Sequence, residues 1–228
     1  LDEFGTQDRI GILSLMDHTP GERQFADTTT LRKYLRGKYG MDEPTIDHQS
    51  AVQQAIGAKY AEGHRRAAIG HAQALGAMLA SHDDTTEAHV AGSARAGVRL
   101  AEFPTTEAAA RACAARGIAV MMGAPNLLRG GSHSGNVAAA RLEALGCLDI
   151  LSSDYAPASL LAGAVRLGED SGDMAAGLRR VTSAPAAAAG LSDHGRIEPG
   201  LRADLLRFTL EHGTPVTRGV WTRGKRVA

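Results

Sequence analysis

Two apolar runs in this sequence end in the residue types that hold metals. Residues 10–16 run into Asp17 and His18 before a turn at Pro20-Gly21, and residues 77–80 run into Ser81, His82, Asp83 and Asp84. Imidazole and carboxylate ligands on rigid supports, with a coordination position left open, make a catalytic zinc or manganese site. A histidine and two acids at one strand exit can ligate a metal, orient a ligand's second nitrogen or shuttle a proton. The same letters have plainer uses. Asp17 can cap a turn, and DDTTE can cap the following helix, with Asp84 or Thr85 near the N-cap and Glu87 in the first turn. Asp154, just past the run CLDILSS, is either a capping carboxylate or a metal ligand that takes the proton from an activated water as general base.

A second chemistry is written in residues 123–136, GAPNLLRGGSHSGN. Arg129, Ser132, His133, Ser134 and Asn136 precede a helix expected over 137–145, where backbone N–H groups and the helix dipole favour an anion. It is not a P-loop, since no Lys-Ser or Lys-Thr follows the glycines. Arg23 and Gln24, after Pro20-Gly21, could grip phosphate oxygens alongside Arg129; as ordinary surface side chains they need no ligand.

The elements that position these residues alternate. Strands are expected at 10–16, 77–80, 97–103, 117–123 and 147–152. Helices are expected at 86–95, 107–116, 137–145 and 160–167, with a further helix over 47–75 whose Val52, Ile56, Tyr60 and Ala67 should cover a sheet face. Such alternation argues for a parallel sheet with right-handed crossovers. Because nearly every strand ends in polar, reactive side chains, the expectation is a (β/α)8 TIM barrel of the metal-dependent hydrolase type, which carries its chemistry on the C-terminal ends of its strands. Five strands do not close eight, so the N-terminal strands are expected to be absent from this chain. Residues 1–190 are assigned to the barrel portion and 191–228 to a small β subdomain, with strands at 203–209 and around Arg223-Gly224.

Composition narrows the class. The 228 residues carry 25 Lys plus Arg against 25 Asp plus Glu, which gives no general electrostatic footprint for nucleic acid. Cys113 and Cys147 read as buried thiols, too few for a disulfide framework. No run approaches the roughly 20 apolar residues of a membrane span, so cytoplasmic residence and a small-molecule partner are the expectation, and a homo-oligomer is a prior for soluble enzymes.

The runs SLMDHTPGERQF, LASHDD, AEFPTT, GIAVMMGAPNLLRGGSHSGN and LDILSSDYAPASLL, in that order, resemble the phosphonate-metabolism branch of the amidohydrolase superfamily. The ending TSAPAAAAGLSDHGRIEPGLRADLLRF, then VTRGVWTRGKRV, is similar to the wider superfamily pattern of a chain leaving its barrel for a small β domain. The resemblance covers nearly the whole chain. It implies hydrolytic release of pyrophosphate from alpha-D-ribose 1-methylphosphonate 5-triphosphate, with one or two divalent ions, zinc or else manganese or iron. It also implies that His18, His82 and Asp154 bind metal, and that His82 and Asp154 take part in catalysis. The phosphate roles of Arg23, Arg129, Ser132, His133, Ser134 and Asn136 rest on their chemistry alone. The superfamily's His-x-His pair is missing from this sequence, so the resemblance places it in an N-terminal barrel segment supplied in cis or in trans. Two other readings stay open: a relative that cleaves a C–N bond, and a barrel fragment without activity of its own.

Overall fold

The computed structural model describes residues 10–25, 27–132 and 135–228, so His133 and Ser134 lie outside the described residues. Five strands form one sheet in the order β1 (Ile12–Leu15), β2 (Met78–His82), β3 (Leu100–Glu102), β4 (Ala119–Gly123), β5 (Ile150–Ser152). The pairings of β1 with β2, β2 with β3 and β4 with β5 are parallel. A second, antiparallel sheet joins β6 (Leu205–Glu211), β7 (Thr214–Thr222) and β8 (Lys225–Arg226). No helix among the described residues is long and apolar enough to cross a membrane. By contact density the chain divides into two compact units, one running to Val120 and including residues 132–137, the other made of 121–131 and 138–228.

In the first unit, consecutive residues Leu79, Ala80 and Ser81 of β2, and Leu100 and Ala101 of β3, are all buried. Burial on both faces is the condition of a parallel strand under helices, and it explains why these strands read as apolar runs rather than as alternation. The helices are α1 (Thr28–Tyr39), α2 (Glu43–Leu75), α3 (Glu87–Arg95) and α4 (Glu107–Ala114). Their starts are chemically specified: Asp27 caps α1, Asp42 caps α2, Thr86 caps α3 and Thr106 caps α4, each by accepting a first-turn N–H. The expected cap at Asp84 or Thr85 is therefore corrected to Thr86, whose hydroxyl accepts from His89 N at 3.1 Å, while Glu87 does sit in the first turn.

Helix α2 corrects a second expectation. It is a helix, but Val52, Ile56 and Tyr60 are 44%, 53% and 43% exposed, and its buried residues are Ile46 and Ala72. A four-residue spacing advances about 40° per step around a helix of 3.6 residues per turn, so these positions spiral off any one face.

In the second unit, α5 (Ala124–Arg129) occupies what the sequence suggested was open loop. Pro125 in its first turn and Gly130 at its C-terminus, with φ of 83°, are the usual helix punctuation. The unit continues with α6 (Ala139–Ala144), α7 (Ser159–Ser171), α8 (Met174–Arg179) and α9 (Ser183–Ala188). Helices α7 and α8 pack so closely that a Cβ on Gly177 would lie 2.3 Å from the Ala164 carbonyl oxygen. Cys113 in the first unit and Cys147 in the second are buried free thiols.

Candidate metal centre

The centre belongs to the first unit and forms where β1 and β2 end. Alternation decides which residues of β2 take part. Ser81 turns toward the helix layer, donating to Asp84 Oδ2 at 2.6 Å near Ser93 of α3, so His82 takes the opposite face. His18 comes from the segment after β1. Asp83 follows β2 with φ of 56°, a left-handed conformation that Asp tolerates better than most residues, and this turn brings its carboxylate back beneath both rings.

The resulting geometry is convergent. Asp83 Oδ2 lies 2.7 Å from His82 Nδ1 and 3.2 Å from His18 Nε2, and the two rings meet edge to face at 5.4 Å. The three donor atoms lie within 4.8 Å of one another. Burial alone would raise the Asp83 carboxyl, but hydrogen bonds from His18 and His82 outweigh it and hold the group below its ordinary value. The hydrogen bond to Asp83 raises His18, against the opposing effect of burial. Two imidazole nitrogens and a carboxylate oxygen are the donor set of a zinc-like divalent ion. Ligand atoms around tetrahedral zinc sit roughly 3.4 Å apart, given bonds near 2.1 Å, so the Asp83 contacts of 2.7 and 3.2 Å would have to open by under ~1 Å for the cluster to take such an ion. Asp17 stays outside the cluster, accepting from Thr19 N at 3.0 Å, which is the turn-capping use of its carboxylate.

Arg23 and Asp84 are drawn together below this cluster. Arg23 is 9% exposed and Asp84 1% exposed, and the guanidinium donates both to Asp84 and to the His82 carbonyl oxygen, the latter at 3.1 Å. Ser81 and Ser93 also donate to Asp84. Arg23, read from sequence as a phosphate ligand, is thus engaged inside the protein, tying the turn after β1 to the end of β2. A cleft of about 790 Å³ opens beside His18, lined among others by Asp17, Glu22, Tyr60 and Arg65, a size suited to a small charged ligand.

Glu102 is a residue the sequence reading passed over. It ends β3 opposite His82 in the strand register, and its carboxylate accepts from Ser14 Oγ of β1 at 3.1 Å. Its signal was available, as an acid closing the run VRLAE in the same way that His82 closes MLASH. Burial pushes its carboxyl above the ordinary value. A raised folded value means that the group favours the folded state below its unfolded pKa, near 4.5, and that this contribution is lost as pH rises through the folded value. Glu102→Gln, which keeps an acceptor for Ser14, is therefore expected to remove that loss and raise the thermal midpoint of the metal-free protein at neutral pH but not below about pH 4. Thermal unfolding followed by circular dichroism at the two pH values checks this.

The remaining sequence-selected residues have the following places. In the second unit, Asp154 is exposed, two residues beyond β5, with φ of 47°. A Cβ on Gly123 would lie 3.0 Å from its Oδ2, so the glycine is what leaves this carboxylate room. Ser152 Oγ, at the end of β5, is buried without a hydrogen-bond partner among the described residues, the condition of a hydroxyl that a ligand or water would satisfy. Arg129 ends α5, is exposed and donates to the Tyr155 hydroxyl at 2.9 Å. The donors expected to cradle an anion before α6 already have protein acceptors: Ala139 N donates to Asn126 Oδ1 at 2.8 Å, and Val137 N donates to Thr105 O at 2.9 Å. Ser132 and Asn136 are half-buried in the segment between α5 and α6 and fall within the first unit.

These features define a class before they define a relative: an α/β chain with a five-stranded parallel sheet and a small antiparallel sheet. Two solved structures share the fold, an uncharacterized protein (TM-score 0.54) and a prolidase complexed with N-methylphosphonate-L-proline (TM-score 0.52), each 22% identical and covering 71% of this chain and 48% of its own. No family model matches the chain. By sequence, the chain is 45% identical over 221 residues to the alpha-D-ribose 1-methylphosphonate 5-triphosphate diphosphatase of Escherichia coli (strain K12), an alignment that takes in 96% of this chain and 58% of that enzyme. The resemblance to the phosphonate-metabolism branch of the amidohydrolase superfamily therefore holds across nearly all of this chain, which spans somewhat over half the length of that relative.

Proposed function

We propose that this chain is part of a metal-dependent hydrolase that releases pyrophosphate from alpha-D-ribose 1-methylphosphonate 5-triphosphate, and that its five parallel strands belong to a (β/α)8 barrel. The observation that carries the reading is the meeting of His18, His82 and Asp83 at the exits of adjacent parallel strands, in a chain 45% identical to an enzyme named for that reaction. His18, His82 and Asp83 would hold a divalent ion, zinc foremost, with manganese or iron as the alternatives and one or two ions in all. Such an ion supplies Lewis acidity that makes water a nucleophile at neutral pH and offsets phosphate charge. The buried Arg23–Asp84 pair holds the end of the strand that carries His82. Asp154 keeps the role proposed for it from sequence, a metal-binding carboxylate that accepts the proton of the attacking water. Arg129, Ser132, Asn136, His133 and Ser134 are proposed to meet the outer phosphate oxygens, since a triphosphate needs more donors than cations alone provide.

The test is a coupled pyrophosphate assay on the protein loaded with zinc, manganese or iron, run on the chain alone and with the part of the relative outside the match supplied. One pyrophosphate per substrate, lost on chelation and restored by metal, is the expected outcome. Stoichiometric metal with no pyrophosphate under either condition would leave the C–N hydrolase reading to be assayed in its place.

A further inference from the structure

Phe103 holds a conformation that its sequence context opposes twice. Its φ is 56°, an outlier for a bulky residue, and it precedes Pro104, which disfavours helical backbone in the residue before it. Such strain persists only where the surroundings over-determine it, and here they do. Asp83 N donates to Glu102 O at 2.9 Å on one side of Phe103, and Thr105 N donates to Asp84 O at 3.0 Å on the other. Two threonine hydroxyls reinforce the same seam, Thr105 Oγ1 to Thr85 Oγ1 at 2.9 Å and Thr106 Oγ1 to Thr85 O at 2.7 Å. Pro104 is fully buried behind them. The exits of β2 and β3 are thus laced together at Phe103, and the left-handed turn departs from the alternation that the strand would have continued.

What the turn accomplishes is contact with His82. The Phe103 ring meets the imidazole edge to face, with centroids 5.2 Å apart and planes at 68°. His18 meets the same imidazole at 5.4 Å, and Asp83 takes its Nδ1. Ring pairs in this arrangement attract beyond the effect of their burial, which offsets part of the cost of such a backbone conformation. We propose that Phe103 is a positioning residue of the metal centre: its strained backbone sets an aromatic edge against His82 and fixes the imidazole in the orientation that binds a divalent ion. The metal half of this statement rests on the reading of His18, His82 and Asp83 given above; the orientation of His82 does not.

Two variants separate positioning from packing. Phe103→Leu keeps apolar bulk and removes the ring, and Phe103→Tyr restores the ring. The ring-proton NMR shifts of His82 in the metal-free protein read its placement, and titration with Co2+, followed by its visible absorption, reads the consequence for binding. The expected result is that Phe103→Leu unfolds cooperatively like the parent, moves the His82 signals and weakens Co2+ binding by about tenfold, as loss of an outer-shell partner does, and that Phe103→Tyr reverses both changes. Unmoved His82 signals and unchanged Co2+ affinity in Phe103→Leu would overturn the proposal, as would failure of Phe103→Tyr to restore them. A parent protein that takes up no Co2+ at all would defeat the metal reading instead, and the His82 signals would then decide the role of Phe103 by themselves.

Discussion

Asp83→Asn is expected to abolish stoichiometric uptake of a divalent ion while leaving the fold in place. Asparagine tolerates the left-handed backbone that Asp83 adopts, φ of 56°, so the turn after β2 survives. The loss is the anionic oxygen that His18 and His82 both address. An amide oxygen is a far weaker ligand for a zinc-like ion, and removing one of three donors should cost more than the roughly 100-fold that bounds loss of an outer partner. Metal analysis after dialysis, with circular dichroism as the control on folding, reads the result. An unchanged metal content would exclude Asp83 as a ligand. A pH signature follows in the metal-free protein. His18 is raised above 6.5 by Asp83, so the pair's contribution to stability is complete below that value and is lost as pH rises through the folded value of His18. Asp83 is lowered below 3.8, so at the acid end the contribution is lost as pH falls through its depressed folded value. The contribution is therefore present between those two folded values, and Asp83→Asn should flatten the slope at both edges of the window. Metal binding should show the opposite trend at the upper edge, strengthening as His18 loses its proton.

Arg23→Ala is expected to destabilise the protein by about 3–5 kcal/mol, the usual penalty for leaving one member of a buried ion pair unpaired. Asp84 is 1% exposed and would be left with Ser81 and Ser93 but without the guanidinium. Asp84→Ala should cost a similar amount by stranding Arg23. The double variant should cost less than the sum, because each single change already removes the shared interaction. Urea denaturation of the four proteins measures this cycle; strict additivity would show that the pair does not act as a unit. Arg23 also donates to the His82 carbonyl oxygen, so Arg23→Ala should weaken metal binding as a secondary effect.

Much of the fold was legible because parallel strands and capped helices leave local marks. The five strand positions, the helix after SHDDTTE and the antiparallel ending follow from apolar runs, capping hydroxyls and turn glycines. Helix α5 was not expected, because the glycine-rich composition around it pointed to loop, although Pro125 and Gly130 mark its ends. The site was less legible. His18 and His82 stood out as histidines at the ends of apolar runs, and Asp154 by the same logic. The relation of Asp83 to Asp84 could not be read from their letters: one carboxylate addresses two imidazoles and its neighbour addresses a buried arginine, because a single residue in left-handed conformation turns the chain between them.

The sequence by itself determined the order of elements, the near absence of net charge and the placing of reactive side chains at strand ends, since these depend on periodicity and composition within short windows. Only the tertiary structure decided that Arg23 is engaged internally, that Glu102 lies opposite His82, and that Phe103 turns against its proline to reach that ring. Each of those facts joins residues 20 to 61 positions apart, or a backbone angle imposed from outside its own segment. Local propensity is silent about both, because the free energy that selects them comes from burial and hydrogen bonding between segments that the sequence keeps apart.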